Sequence, residues 1–435
     1  EMSASLVGSE MCIRDRNYTP CEQCAKRDFM KLDKLKQNKG QSANYMFDFI
    51  SHVTSVFGKR DCGSQGEKDA INYMANEAAP YADTVTTEKY DVHTLAFMGW
   101  IYITVTLILG AFAAAFFMPM LSLILIAVGM EIMILEFVLY RKVVDKLFPK
   151  RESLNMMAIK KPTGEVKRRV LISGHADAAY EWTLNYYLGG KAFIAHFLIS
   201  IIGILYFTAV AIAACVISGM FNAITDVNLL IALGVSGVFV PFWILMYFLF
   251  NPKIVADGAT DNLTGCAMGI SFLKALKDNG VEFENTEVGC ICAGGEEAGL
   301  RGAKAWVKAH KNDFKDCPTT ILCLDTLREQ DHMLVNHKDM NGLMQCDKEA
   351  TQIWLDACEQ EGIPCKKGSV ALGATDAAAY TEGGFKSVCV TAMNFNLPRY
   401  YHTRLDVAED VDKDCLANTF AILCNFVEKI DEQTR

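Results

Sequence analysis

Four long apolar stretches dominate the hydrophobic pattern of this chain. No charged residue occurs from Thr94 to Met130, and the apolar run continues to Tyr140 with Pro119 near its middle. A second pair of apolar stretches begins after residue 190. Each stretch is about 20 residues or longer, enough for a helix to cross the roughly 30 Å hydrocarbon layer of a bilayer. The pattern predicts four membrane helices in two hairpins, at about residues 97–117, 121–140, 192–219 and 228–250.

Outside these stretches, short apolar runs end in acidic or histidine side chains. The run at residues 170–173 predicts a strand that delivers His175 at its carboxyl end. A second run, closed by a Gly-Gly break, leads to Glu296 and Glu297, and a third leads to Asp325. These side chains therefore follow three different predicted strands.

A helix is predicted directly after Asp261, because apolar residues recur there at helical spacing behind an Asp-Asn start. A negative side chain is favourable at the amino end of a helix. Strands that alternate with helices and carry polar side chains at their carboxyl ends are typical of an open α/β sheet, whose ligands bind outside those ends. The predicted fold is a doubly wound, mostly parallel α/β sheet interrupted by two transmembrane helical hairpins.

The polar side chains have the composition of a metal site. Zinc binds imidazole nitrogen and carboxylate oxygen at about 2.0 to 2.2 Å, and a paired site needs a ligand that bridges ions about 3.5 to 4 Å apart. Together with His402, the strand-end residues and Asp261 supply two histidines and three acids, and Glu296 is a further acid. They predict a two-zinc hydrolase site, although Co or Mn can bind the same N and O ligands.

Several segments resemble the co-catalytic zinc aminopeptidase family, metallopeptidase family twenty-eight. They are LISGHADAAY, ADGATDNLTGCAMGI, ICAGGEEAGLRGAKAWV, ILCLDT and YYHTRLDVAEDVD, together with the early FISHVTSVFGKRDCGSQGEKDAINYMANEA. That family also contains glutamate carboxypeptidases, glutaminyl cyclases and catalytically dead receptor ectodomains. The resemblance covers roughly residues 45–92, 152–182 and 256–430.

The resemblance implies a role for each matched residue. Asp177 is implied as the acid that orients His175, and Glu296 as the general base. Asp261 corresponds to the carboxylate that bridges the two zinc ions. The implied metal ligands are His175, Asp261, Glu297, Asp325 and His402.

Two positions near the implied site need separate comment. The family's last motif usually runs Tyr-His-Thr-Pro, and here Arg404 stands where that proline would be, which puts the shape of the loop in doubt. The segment GATDAAAY resembles a region that helps to form the substrate pocket, which makes Asp376 and Tyr380 possible substrate contacts.

Both hairpins interrupt the peptidase-like sequence, and each crosses the bilayer an even number of times, so the remaining pieces stay on one side. Residues 141–170 carry ten Lys or Arg, whereas the turn at about 220–227 carries none, which predicts a cytoplasmic catalytic domain. The start of the chain, SASLVGSEMCIRDR, is interpreted as a spurious or artificial leader outside the fold. The predicted units are an unassigned leader (1–42), a zinc peptidase domain (43–94, 141–190 and 251–435) and transmembrane hairpins (95–140 and 191–250).

Two acids lie inside the second predicted span, where a charge costs about 2.5 kcal/mol or more. Glu131 and Glu136 are interpreted as packing against His196, facing a water-filled groove or reaching towards the interface, with a polar path to the site as the alternative. The single pair Cys21 and Cys24 does not predict a zinc ribbon. Sixteen cysteines, many in apolar contexts, indicate a reduced core, and a net charge of −9 argues against a nucleic-acid surface.

The leading hypothesis is a membrane-anchored di-zinc exopeptidase of the aminopeptidase type, with a peptide substrate, a lipid bilayer as partner and no nucleic acid. A glutaminyl cyclase or carboxypeptidase on the same scaffold is the alternative enzyme. A catalytically inactive membrane receptor or scaffold is the alternative outside enzymes. The sequence leaves the substrate, its side-chain specificity and the oligomeric state open.

Overall fold

A computed structural model of the chain describes residues 32–394 and 396–434. The first helix, α1 (residues 32–37), buries Leu32 and Leu35, each only 1% exposed, in the main hydrophobic core. The domain boundary at residue 43 stays a prediction, and α1, which precedes it, contributes to that core. The Cys21 and Cys24 pair, and the leader up to residue 31, lie outside the described residues.

The described residues form a nine-stranded mixed sheet with the order β1-β2-β6-β3-β7-β11-β8-β10, in which β9 pairs with β8. Its centre is parallel: β3 pairs in parallel with β6 and β7, and β7 pairs in parallel with β11. Two further strands, β4 and β5, form a small antiparallel sheet. The strands are β1 (Thr84–Val92), β2 (Arg151–Lys160), β3 (Arg168–His175), β4 (Tyr180–Glu181), β5 (Asn251–Val255), β6 (Thr286–Ala293), β7 (Thr319–Leu327), β8 (Met333–Asp339), β9 (Met344–Gln345), β10 (Lys366–Ser369) and β11 (Lys386–Ala392).

Helices cover both faces of this sheet, so its central strands are apolar on both sides. One core contains residues from α1 and from the helices α2 (Lys39–Phe57), α3 (Gln65–Ala78), α10 (Leu263–Asp278), α12 (Lys348–Gln360) and α14 (Lys413–Glu432). The core on the other face contains residues from α11 (Arg301–His310) and α13 (Asp376–Glu382). This arrangement confirms the predicted α/β fold class, and we call it the sheet domain.

Among the described residues, four helices are long and apolar enough to cross a membrane, as predicted. Pro119 begins the second of them, where its fixed φ and missing N–H are tolerated. Hairpin 1 consists of α4 (Ala96–Ala115) and α5 (Pro119–Met133), which continues as a π-helical turn to Val138. Hairpin 2 consists of α7 (Gly190–Ile217), preceded by the short α6 (Thr183–Leu188), and of α8 (Val227–Gly237) and α9 (Val240–Leu245).

Strand pairs join the two ends of each hairpin. Val92 at the end of β1 pairs with Arg151 at the start of β2 on either side of hairpin 1. Glu181 of β4 pairs with Asn251 of β5 on either side of hairpin 2. Residues that pair across antiparallel strands lie about 5 Å apart. Each hairpin is therefore inserted where the chain leaves and re-enters the sheet domain at neighbouring points.

Candidate metal centre

The parallel pairing of three strands collects the predicted site residues at one edge of the sheet. His175 is the last residue of β3, Asp325 lies near the end of β7, and Glu296 and Glu297 follow the end of β6. Because β3 lies between β6 and β7, the carboxyl ends of all three strands are adjacent. The structure thus brings together the four strand-end residues that the sequence predicted.

Two glycines let the start of α10 approach these strand ends. A Cβ on Gly174 would lie 2.5 Å from the backbone nitrogen of Cys266, and a Cβ on Gly265 would lie 2.3 Å from the carbonyl oxygen of Leu324. A side chain at either position would separate the helix from β3 or β7. The close backbone contact places Asp261, just before the helix, beside the strand ends.

Hydrogen bonds then fix the position of Asp261. The next residue, Asn262, accepts from the backbone N–H of Gly265 (3.1 Å) as the helix cap and donates to the carbonyl of Leu324 (2.8 Å). The backbone N–H of Asp261 donates to the Asp406 carboxylate (3.0 Å), which is 1% exposed. Sequence reasoning gave Asp406 no role, although it lies four residues after His402.

Asp261 lies between the two histidines, with one carboxylate oxygen towards each. Nε2 of His175 is 3.3 Å from Oδ1 of Asp261 and 4.0 Å from Oε2 of Glu296. Nε2 of His402 is 3.1 Å from Oδ2 of Asp261 and 3.3 Å from Oε1 of Glu297. A carboxylate with one oxygen directed to each of two donor groups has the arrangement of a bridging ligand.

The donor atoms form three overlapping groups, and within each group all of them lie within 4.8 Å of one another. Oδ2 of Asp261 and Oε1 of Glu297 are buried and have no hydrogen-bond partner among the described residues, although both are close to His402. Buried oxygens without a partner are costly unless a cation is nearby. The donor set therefore fits zinc. The groups are His175 with Glu296 and Glu297, His175 with Asp261 and Asp325, and Asp261 with Glu297 and His402.

The pKa shifts of the clustered carboxyl groups also favour a bound cation. Burial raises the pKa of Glu297 to about 8, against the opposing effect of His402, and raises the pKa of Asp325 to about 6. Burial also raises the pKa of Glu296 well above the usual range, and its acidic neighbours add to that rise. Four clustered carboxyl groups cannot all ionise without compensating positive charge. A divalent cation supplies that charge.

Asp177 holds the acid pair in place. Its two carboxylate oxygens accept the backbone N–H groups of Glu296 and Glu297, both at 3.0 Å, and its side chain is 0% exposed. Nδ1 of His175 lies 3.1 Å from the backbone carbonyl oxygen of Asp177 and 3.4 Å from its Oδ1, so the Nε2 atom of that ring faces the site. Asp177 therefore orients an imidazole and two acids through its carbonyl and its carboxylate.

Glu67 also stabilises the turn that carries Glu296 and Glu297, by accepting hydrogen bonds. The sequence did not predict this role. Glu67 is fully buried and accepts from the backbone N–H of Gly295 (3.0 Å), the backbone N–H of Gly63 (2.6 Å) and the hydroxyl of Ser153 (2.8 Å). Gly295 has φ +61°, a conformation that favours glycine. Cys62, Glu67 and Asp177 also lie close together, but both carboxylates are occupied as hydrogen-bond acceptors.

The two possible substrate contacts on α13 differ. Asp376 is 4% exposed, and neither carboxylate oxygen has a hydrogen-bond partner among the described residues. Burial raises the pKa of Asp376 to about 7, with His175 opposing the rise. Tyr380 is 0% exposed and its hydroxyl lies 3.0 Å from that of Ser173, so it packs in the core. The structure thus corrects the pocket role considered for Tyr380, since a fully buried ring does not line a pocket.

Comparison with known proteins adds a family. Residues 246–427 match Peptidase family M28. The M28 match includes Asp261, Glu297, Asp325 and His402, whereas His175 precedes it. No curated protein sequence matches the chain significantly.

Solved structures similar to this one include two aminopeptidases and a cyclase. BSAP, a zinc aminopeptidase from Bacillus subtilis, has a TM-score of 0.53 at 13% identity over 89% of this chain and 95% of its own. The LapA aminopeptidase of Legionella pneumophila has a TM-score of 0.51 at 11% identity over 91% and 74%. A glutaminyl cyclase from Fimbriiglobus ruber has a TM-score of 0.53 at 11% identity over 89% and 94%. At these identities the likeness shows the fold alone.

Proposed function

We propose that this chain is a membrane-anchored di-zinc exopeptidase of the aminopeptidase type. The observation that carries the proposal is the position of Asp261 between His175 and His402, one oxygen towards each. Glu297 and Asp325 complete a donor set for two ions, one on each side of Asp261. Cobalt or manganese fits the same nitrogen and oxygen donors.

The residues of the site divide the chemistry between them. Two bound zinc ions would polarise the scissile carbonyl and make water a stronger nucleophile at neutral pH. Glu296 takes the proton of the attacking water and delivers it to the leaving amine. Its raised pKa, caused first by burial, lets it hold that proton between the two transfers. Asp177 keeps Glu296 in place through the backbone N–H.

The membrane location is supported by the four apolar helices. Both hairpins begin and end at the sheet domain, so one side of the bilayer carries the whole catalytic domain. We assign that side to the cytoplasm, because ten Lys or Arg lie in residues 141–170 and none in the turn at 220–227.

Glutaminyl cyclase activity is the second candidate. It is favoured by the similarity to the Fimbriiglobus ruber cyclase and by the carboxyl group of Asp376 near the site, which has no hydrogen-bond partner among the described residues. A carboxypeptidase on the same scaffold has no comparable observation in its favour. An inactive receptor is disfavoured, because all the implied ligands and Glu296 lie together.

The deciding experiment measures zinc content and turnover of the purified full chain across aminoacyl amides and an N-terminal glutaminyl peptide. We expect two zinc ions per chain and hydrolysis of aminoacyl amides. Glu296→Gln should retain the zinc and lose turnover by roughly 10²- to 10⁴-fold, the usual contribution of a general base. Glu131→Gln serves as the control, because Glu131 is an exposed acid of α5 outside the site.

Each other outcome selects a different function. Cyclisation of the glutaminyl peptide without amide hydrolysis would establish the cyclase. Zinc binding without turnover of either substrate would direct the search to other amides. A chain that binds no zinc would end the enzyme proposal and leave a membrane scaffold.

A further inference from the structure

The loop that carries His402 rests on the entry of hairpin 2. The backbone N–H of Trp182 donates to the carbonyl of His402 (2.8 Å). The indole ring also meets the His402 imidazole edge-on, with centroids 4.5 Å apart. On its other side the indole stacks on Phe193, in the first turn of α7, at 4.5 Å and 3° between planes. One aromatic side chain therefore separates a proposed zinc ligand from a predicted membrane helix.

Two polar side chains tie the same loop to α6. The buried side chain of Asn185 donates to the carbonyls of Pro398 (3.1 Å) and Tyr401 (2.8 Å). In the opposite direction, the guanidinium of Arg399 donates to the carbonyl of Tyr186. Backbone carbonyls on both segments are thus satisfied by the other segment.

Arg404, which stands in place of the family's proline, closes this set of contacts. Its Nε and Nη2 atoms lie 2.6 and 2.7 Å from the two carboxylate oxygens of Glu181, a side chain that is 1% exposed. The guanidinium also lies 4.5 Å above the ring of Tyr186. A bidentate pair fixes orientation as well as distance. A proline would restrict the loop by fixing its own φ angle, whereas Arg404 restricts the loop by pairing with Glu181 outside it.

The contact extends to both ends of hairpin 2. Gly190, the first residue of α7, packs so closely that a Cβ there would lie 2.0 Å from the carbonyl oxygen of Leu397. The backbone N–H of Thr183 donates to the carbonyl of Leu249, at the far end of the hairpin (3.1 Å). The loop therefore packs on the start of the hairpin, and the start is hydrogen-bonded to the end.

His402 itself shows why the loop needs such support. Its φ of +52° lies in the left-handed region, which a non-glycine residue rarely adopts and keeps only where its surroundings hold it. We define the clasp as the side chains that supply those surroundings from β4, from the entry of hairpin 2 and from the loop: Glu181, Trp182, Asn185, Arg399 and Arg404.

We propose that the clasp is a positioning element of the metal site formed by Asp261, Glu297 and His402, so that the entry of hairpin 2 holds His402 in its ligating conformation. The metal part rests on the proposed function, whereas the hold on the loop does not. The clasp residues act through His402. Substitution of clasp residues should therefore lower the affinity for one of the two zinc ions selectively. It should also lower kcat more than it changes KM.

The test uses the full chain in lipid nanodiscs, with Arg404→Gln, Glu181→Gln, the double substitution and Arg404→Lys. Arg141→Gln is the matched control, because Arg141 pairs with Glu382 at 2.8 Å and joins the other hairpin to the sheet domain. The first readout is hydrogen–deuterium exchange of residues 398–406 in metal-free protein. We expect exchange at least tenfold faster in both single variants, no further increase in the double variant, partial protection with lysine, and no change in the control.

The second readout is equilibrium zinc binding. One zinc dissociation constant should rise at least tenfold in Arg404→Gln while the other changes less than twofold. Exchange at the wild-type rate in that variant, or faster exchange with both zinc affinities unchanged, would overturn the proposal. A wild-type chain that binds no zinc would instead refute the proposed function. The exchange rates alone would then decide whether the clasp holds the loop.

Discussion

The two hairpins contact different segments around the candidate metal centre, and they do so in different ways. Hairpin 2 contacts the His402 loop directly, through the clasp. Hairpin 1 contacts α11, the helix that follows the acid pair: Nζ of Lys304 donates to the carbonyl of Tyr140 (2.6 Å) just after the hairpin. At the start of hairpin 1, Phe97 packs against Gly299. Hairpin 2 therefore contacts the loop that carries a proposed ligand, His402. Hairpin 1 contacts the segment that follows the proposed ligand Glu297.

The acids of hairpin 1 illustrate this scaffold role. Glu136 is 0% exposed and accepts the backbone N–H groups of Val143 (2.6 Å) and Val144 (2.7 Å), with Nη2 of Arg301 at 3.5 Å. Glu136 thus closes the turn after the span and faces Arg301, the first residue of α11. These partners differ from the packing against His196 and from the polar path that were considered for Glu136 from the sequence. The difference between the hairpins teaches that an inserted apolar hairpin can support a candidate site either through the surrounding fold or through a proposed ligand.

The largest effect on stability is expected from Glu136→Gln. The change removes a buried negative charge that serves two backbone amides and Arg301, so the free energy of unfolding should fall by about 2–3 kcal/mol. Thermal unfolding in lipid nanodiscs measures this. The control is Glu131→Gln on the same helix, where the side chain is exposed and the unfolding temperature should not fall. Equal losses in both variants would contradict the scaffold role of Glu136.

Substituting the glycine at each hairpin contact compares the effects of the two hairpins on zinc binding. Gly190→Ala would place a Cβ 2.0 Å from the Leu397 carbonyl, and Gly299→Ala would place one 2.8 Å from Phe97. Each should destabilise the protein by about 1–3 kcal/mol, the cost of overpacking. Only Gly190→Ala should also weaken zinc binding, because it displaces the His402 loop. Gly234→Ala, with nothing within 4 Å, is the control, and its zinc affinity and stability should match wild type.

Measuring the unfolding temperature against pH tests the carboxyl groups of the candidate site separately from the hairpin contacts. Burial raises the folded-state pKa of Glu297 to about 8 and of Asp325 to about 6, whereas both titrate near 4 when unfolded. The folded metal-free protein then binds more protons than the unfolded chain, so it loses stability as pH rises from about 5 to 8. We expect its unfolding temperature to fall by roughly 3 °C or more over this range. Zinc-loaded protein should not show this fall, and equal slopes would argue against a cation site.

The smallest effect is expected from Arg141→Gln, measured by thermal unfolding and zinc binding. Arg141 and Glu382 are exposed, with 58% and 36% of their side-chain surfaces accessible, so solvent screens the pair. The stability change should stay within about 0.5 kcal/mol and zinc binding should not change. A larger loss would show that hairpin 1 depends on its surface contacts as well as on Glu136.

The sequence predicted that His175, Glu297 and Asp325 lie together because each follows a strand, and strand pairing converts that order into proximity. It predicted the hairpins because apolar length is visible without any tertiary contact. It did not predict Glu67 or Asp406, since an acid buried by distant hydrogen bonds is indistinguishable in sequence from an acid on the surface. The pair of Arg404 and Glu181 was missed for the same reason, because its members are 223 residues apart.

The strand order has a consequence for how the protein is made. Among the strands that the structure describes, β3, which ends in His175, pairs only with β6 and β7, and both are synthesised after hairpin 2. Strand β2 meets β1 only once hairpin 1 has been synthesised between them. The centre of the sheet therefore has no partners during synthesis until both hairpins have left the ribosome. A nascent chain whose hairpins enter the bilayer as they emerge would thus be anchored before it can assemble the candidate metal centre.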